Sequence, residues 1–118
     1  MEVKRYMQKI CSKCWKREKY CKCAYGSYIE LDYNMIYIIK TLNIKGFITV
    51  FCCGGHSEKQ FTEIYIQFKN NFYFNSIPEN FKYKKNKLYY QEIAATRQER
   101  QALINHHIKI LKDWVNLL

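Results

Sequence analysis

Six cysteines and three histidines give this 118-residue chain its side chains best suited to metal or nucleophilic chemistry. Cys11-Ser-Lys-Cys14 is followed, six residues on, by Cys21-Lys-Cys23. Two close pairs on a short loop can set four sulfurs around one tetrahedral ion, at about 2.3 Å each for zinc. Thiolates are soft ligands and zinc adds no redox chemistry, so Zn2+ is the expected cofactor, held by Cys11, Cys14, Cys21 and Cys23. The lysines around them favour the thiolate form. Free thiols, or a site that borrows a ligand from the second cysteine group, are the alternatives. A disulfide ranks last, because Met-Glu-Val-Lys-Arg-Tyr at the start lacks the apolar stretch of a secretion signal and points to a reducing cytosol.

The second group is Cys52-Cys53-Gly54-Gly55-His56. On a strand leading into it, Cys52 falls with Ile48 and Val50, and Cys53 with Thr49 and Phe51. One thiol should enter the core and the other face the turn; the sequence leaves open which. Paired glycines permit positive φ and expose N–H groups that could hold an anion. His56 could act as base to a Cys53 thiolate, or Cys52, Cys53 and His56 could form a second metal or reactive site. The plain alternative is a tight strand-ending turn with one buried cysteine and an exposed histidine. The sequence places no acid or second base to complete a catalytic set, so the chain reads as non-catalytic. His107, on an apolar helical seam, reads as a packed residue rather than a ligand.

Charge narrows the choice of partner. Twenty Lys+Arg against ten Asp+Glu give +10. Residues 1–23 carry +6, residues 24–81 carry −1, residues 82–90 carry +4 and the remainder +1. The excess therefore forms two patches, around the first cysteine group and at Lys82-Tyr83-Lys84-Lys85-Asn86-Lys87, and clustering raises the local potential. Lys9, Lys13, Lys16, Arg17, Lys82, Lys84, Lys85 and Lys87 are the expected phosphate contacts. Eleven tyrosines could stack bases, or could be the half-buried aromatics that strands favour. An acidic nucleic-acid mimic is excluded by the sign of the charge. No run of about 18 apolar residues is present to cross a membrane.

These groups need a scaffold, and 48% hydrophobic residues can build one. Residues 1–26 read as a zinc knuckle, 27–90 as an α+β core and 91–118 as a C-terminal helix, in a single compact domain. Asp32 or Asn34 can cap a helix whose Met35, Ile38, Ile39 and Leu42 share one face, and Gly46 can stop it. Phe47 to Cys53 reads as a buried strand. Thr62 to Lys69 alternates, with Ile64, Ile66 and Phe68 inward. Asn70-Asn71 turns the chain toward Phe72-Tyr73-Phe74, and a lysine-rich turn joins Phe81-Lys82-Tyr83 to Leu88-Tyr89-Tyr90 as a hairpin. From Gln91, steps of four and three reach Ile104, His107, Leu111, Trp114 and Leu118, a helix of roughly 40 Å at about 1.5 Å per residue. Packing on the sheet is the first expectation for it and pairing in a homodimer the second. The fold class is thus α+β: a knuckle, one helix, a small mostly antiparallel sheet of three to five strands, and a long terminal helix.

Asn43-Ile44-Lys45-Gly46-Phe47 running into Cys52-Cys53-Gly54-Gly55-His56, then Tyr65-Ile66-Gln67-Phe68, resembles a segment of small, mostly uncharacterised proteins of Firmicutes and their phages. These carry an amino-terminal Cys knuckle and a leucine-asparagine-x-lysine-glycine-tyrosine … Cys-Cys-Ser-Gly-His segment. The resemblance covers roughly residues 10–85, with Gly54 standing where that pattern has serine. It implies a zinc-binding α+β domain of phage or mobile-element origin in a bacterial cytoplasm, and no settled activity. A fainter similarity is to the Cys-Ser-Gly-Arg turn of wyosine-synthesis tRNA methyltransferases, where His56 replaces the arginine. The first functional expectation is a non-catalytic zinc protein that binds RNA, DNA or a nucleoprotein. The second is a phage-encoded, anti-CRISPR-like inhibitor of a host defence nuclease that acts by protein binding. The third is an enzyme with Cys53 as nucleophile and His56 as base.

Overall fold

The computed structural model describes residues 7–118; Lys4 and Arg5, which contribute to the amino-terminal charge, lie outside the described residues. The expected α+β class holds: the described residues form two α-helices and two antiparallel sheets, one of two strands and one of four. Strands β1 (Met7–Cys11) and β2 (Tyr28–Asp32) pair from Met7 opposite Asp32 to Cys11 opposite Tyr28. The Cys segment is therefore the loop of a hairpin whose stems are strands, and the pairing crosses residue 26.

After β2 the chain makes a 3-10 turn at Tyr33–Met35 and enters α1 (Ile36–Ile44). Met35, Ile38, Ile39 and Leu42 are buried on the expected face, and Gly46 at φ +95 ends the helix as expected. Neither Asp32 nor Asn34 caps α1, contrary to expectation. Both side chains are diverted to the backbone of Gly54, with consequences for the site.

Strand β3 (Thr49–Cys53) is shorter than expected and is not buried. It is an edge strand in the order β3-β4-β6-β5, so among the described residues only one side of it has a partner, and Val50 and Phe51 face solvent. A register shift between Thr49 and Phe51 breaks the simple alternation. Strand β4 (Phe61–Phe68) alternates as expected, burying Ile64, Ile66 and Phe68. Strands β5 (Lys82–Lys84) and β6 (Lys87–Ile93) form the expected hairpin. Its two-residue turn has positive φ at both Lys85 (53) and Asn86 (64), the primed-turn geometry that matches strand twist. Phe72-Tyr73-Phe74 forms no strand; Phe72 and Phe74 instead join an aromatic cluster with Phe47, Phe68, Tyr83 and Trp114.

The terminal helix α2 (Arg97–Leu117) starts later than Gln91, because residues up to Ile93 complete β6. Its 21 residues span about 31 Å. A reciprocal cap fixes the start: Thr96 Oγ1 accepts from Glu99 N–H, and Glu99 Oε1 accepts from Thr96 N–H, each at 3.1 Å. Lys45 Nζ donates to the last carbonyls, at 2.8 Å to both Val115 and Leu118, tying the helix end to α1. Ile104, Ile108, Leu111, Trp114 and Val115 join one continuous core with α1 and β4, which is the expected packing on the sheet. His107 is buried as expected, stacked 3.7 Å from Tyr90; Nδ1 donates to Leu103 O and Nε2 accepts from Asn80.

Arg100, a charged residue near the start of α2, is nonetheless drawn inside. It is buried and donates to the carbonyls of Ser57 (2.7 Å), Ala94 (2.8 Å) and Ala95 (3.1 Å). The charge is thereby spread over three carbonyl dipoles, and the loop after His56 is fastened to α2. Replacing Arg100 by Met keeps the aliphatic stem and removes these donors. We expect Arg100→Met to lower the unfolding free energy by about 1–2 kcal/mol, read from urea denaturation.

Candidate metal centre

The hairpin stems bring the ends of the Cys loop together. Ser12 N–H donates to Ser27 O at 2.7 Å, closing the loop at its base, and Trp15 N–H donates to Cys11 O at 2.7 Å, folding the first cysteine pair into a tight turn. That turn needs Trp15 at φ 62, a left-handed conformation unusual for a bulky side chain. One more bridge, between Ile10 and Arg17, continues the pairing into the loop.

Within this frame Cys11, Cys14, Cys21 and Cys23 converge, their sulfurs all within 4.8 Å of one another. Cys11 and Cys23 stand 4.0 Å apart. Sulfurs at about 2.3 Å from a tetrahedral ion are separated by about 3.8 Å, so the four need only a small contraction to bind. The four residues are positioned to hold a metal ion, as the spacing predicts. All six cysteines are free thiols. Cys11 is buried and the other three in this group are half-buried.

The surroundings already favour negative sulfur. The N–H groups of Lys13 and Cys23 approach the sulfurs of Cys11 and Cys21, each at 3.4 Å. The backbone N–H of Cys14, foremost, holds the Cys11 thiol down at about 6. The Tyr28 hydroxyl lowers Cys21, and Tyr28 itself is pushed up to about 12 by that same contact. Cys23, crowded by Cys21 and then Cys14, is driven up to about 12. Four sulfurs this close cannot all ionise alone; a divalent cation among them removes the conflict. Tyr28, an outer partner of the site, is invisible in the cysteine spacing.

The second cysteine group divides. Cys52 lies opposite Ile66 on the inward face of β4, and burial pushes its thiol up to about 12. It packs against the core and does not join the cluster expected for Cys52, Cys53 and His56. Cys53 lies opposite Tyr65, on the other face, and burial raises its thiol as well. Cys53 and His56 come together with Asp32, the residue read from sequence as a helix cap. Asp32 is buried and its Oδ2 accepts the Gly54 N–H at 2.7 Å, while Asn34 Nδ2 donates to Gly54 O at 3.0 Å. A Cβ on residue 54 would collide with the Asn34 amide, so this close approach requires glycine.

Of the cations expected to meet phosphate, Lys9, Lys13, Lys16, Arg17, Lys82, Lys84 and Lys85 are exposed. Lys87 is half-buried, with Nζ 3.3 Å from Glu63 Oε2 and 4.6 Å from the centre of the Tyr65 ring. Arg17 lies over Tyr33, 6.0 Å from the ring centre. It borders a groove of about 410 Å³ whose lining includes Trp15, Tyr33, Tyr37, Lys40 and Lys112 and contains no acid. Sequence spacing gave no sign of this groove, because its walls come from the Cys loop, α1 and α2. No helix among the described residues is long and apolar enough to cross a membrane. In comparisons with known proteins, no family model, curated protein or solved structure matches this chain.

Between Ser12 and Ser27 no residue is fully buried and Trp15 alone of the apolar side chains packs against the core, so a metal held by the four cysteines would supply much of the loop's order. Loading the protein with zinc and then stripping the ion with excess EDTA is expected to abolish amide-exchange protection within the loop, at Trp15 and Cys21, while β4, β6 and α2 stay protected. Hydrogen exchange with and without chelator checks this; unchanged protection would show that the loop holds itself.

Proposed function

We propose that this is a non-catalytic zinc-binding protein, of phage or mobile-element origin, that binds single-stranded nucleic acid alone or within a nucleoprotein. The observation that carries the reading is the groove beside the Cys loop. Three aromatic side chains (Trp15, Tyr33 and Tyr37) and three cations (Arg17, Lys40 and Lys112) line it without an acid. Aromatic faces stack bases of any sequence, and cations beside them meet the phosphates on either side. Arg17 serves both ends of this arrangement, since it lies over the Tyr33 ring and carries charge.

Zinc is the metal this reading assigns to Cys11, Cys14, Cys21 and Cys23. Four thiolates select a soft or borderline tetrahedral ion, and a closed four-sulfur set leaves no position for substrate. Its role is to hold Trp15 and Arg17 at the groove. Lys9, Lys13 and Lys16, exposed on β1 and the loop, extend the positive surface from there. Lys82, Lys84 and Lys85 form a separate patch on the β5–β6 hairpin, free to meet a second stretch of backbone.

A second reading, an anti-CRISPR-like inhibitor that grips a host defence nuclease, draws support from the sheet edge. Strand β3 is unpaired on one side among the described residues and exposes Val50 and Phe51, a surface suited to adding a strand from a protein partner. Co-purification with a nuclease complex in the absence of free nucleic-acid affinity would favour it.

Fluorescence anisotropy with a labelled 20-nucleotide single strand tests the first reading. If about four phosphates are met, affinity should fall roughly 50-fold between 50 and 200 mM salt. Trp15→Ala should weaken binding by about tenfold or more, the scale of one lost base stack. Affinity that ignores both salt and the Trp15 side chain would overturn the reading.

A further inference from the structure

Asp32 ends β2, Cys53 ends β3 and His56 follows the turn after it, so two remote stretches of chain deliver three different ligand types to one point. One side-chain atom of each lies within 4.8 Å of the other two. Asp32 Oδ2 stands 3.7 Å from His56 Nε2. Nitrogen and oxygen ligands at about 2.0–2.1 Å on a tetrahedral ion are about 3.3 Å apart, so a shift of about 0.4 Å brings this pair to ligand spacing.

The groups behind these three resemble the outer shell of a metal site. The other ring nitrogen of His56, Nδ1, faces Glu58 Oε2 at 3.8 Å, the place where a carboxylate orients a ligating imidazole. Asp32 is fixed by the Gly54 N–H. Asp32 and His56 also line a cleft of about 200 Å³ with Asn34, Glu58, Gln101 and Asn105. Cys53 is not part of the cleft wall, so an ion reached by all three lies between the protein body and the cleft. Asn34 contributes a buried Oδ1 with no hydrogen-bond partner among the described residues.

We propose that Asp32, Cys53 and His56 hold a second divalent ion, of the zinc class, with its fourth position open to the cleft for water or a small anion. Charge separates this site from the first. One carboxylate, one thiolate and a neutral imidazole balance a divalent ion, whereas four thiolates leave −2. A neutral centre with three protein ligands is the arrangement that accepts an exogenous ligand. Binding releases the Cys53 thiol proton to solvent and leaves Nδ1–H of His56 directed at Glu58. Cys52, facing the core, takes no part. The proposal stands independently of nucleic-acid binding.

The full chain, reduced and loaded with zinc, should carry two ions in native mass spectrometry. His56→Gln and Cys53→Ser should each carry one. Loaded instead with cobalt, the wild type should shift its visible absorption on adding azide, and His56→Gln should not, because four thiolates offer azide no position. One ion per wild-type chain would overturn the proposal and requires no variant to fold. Two ions retained in both variants would overturn the ligand assignment, and a wild-type cobalt spectrum indifferent to azide would overturn the open position.

Discussion

Gly54 is held by both of its backbone polar groups, and the two halves of the molecule are joined there. Its N–H donates to the buried carboxylate of Asp32 and its carbonyl accepts from Asn34. Asp32 is the last residue of β2 and Asn34 lies in the 3-10 turn that follows it, whereas Gly54 directly follows the edge strand of the larger sheet. The clamp therefore ties the hairpin that carries the Cys loop to the sheet that carries the core. A buried carboxylate on a single backbone donor is costly unless its other surroundings are polar, and His56 beside it meets that need. The same two residues wall the cleft, so the joint between the sheets and the chemistry of the second cluster share one set of atoms.

Much of the fold was legible because its signals are local. The alternation of β4, the buried face of α1 and the stop at Gly46 follow from near neighbours in sequence. The β5–β6 turn was legible too, since a short polar turn between aromatic strands selects a hairpin. The first metal centre belongs with these, because its ligands lie within thirteen consecutive positions, 11 to 23. The start of α2 was misplaced although Thr96 and Glu99 spell a capping box. The three-and-four periodicity continues backward through Ile93 by coincidence, and a strand residue can occupy a helical step.

What could not be read depends on contacts across long separations. Asp32 and Asn34 carry the letters of helix caps, and only the nearness of Gly54 redirects them. Arg100 looks like a solvated helix residue until three carbonyls from other segments surround it. The burial of β3 was overestimated because an apolar run does not reveal whether a strand lies at an edge. Its bulge then changes which residues share a face with Cys52. The groove beside the Cys loop is the same kind of feature: Trp15, Tyr37 and Lys112 share no pattern, only a place.

The loop between β1 and β2 carries little packing duty: from Ser12 to Ser27 no residue is fully buried, and Trp15 alone of its apolar side chains rests against the core. Apart from the cysteines that anchor it and Trp15 at the groove, its letters can change without disturbing the interior. Such a segment can change the chemistry of its surface by substitution alone, while the body beneath keeps its shape.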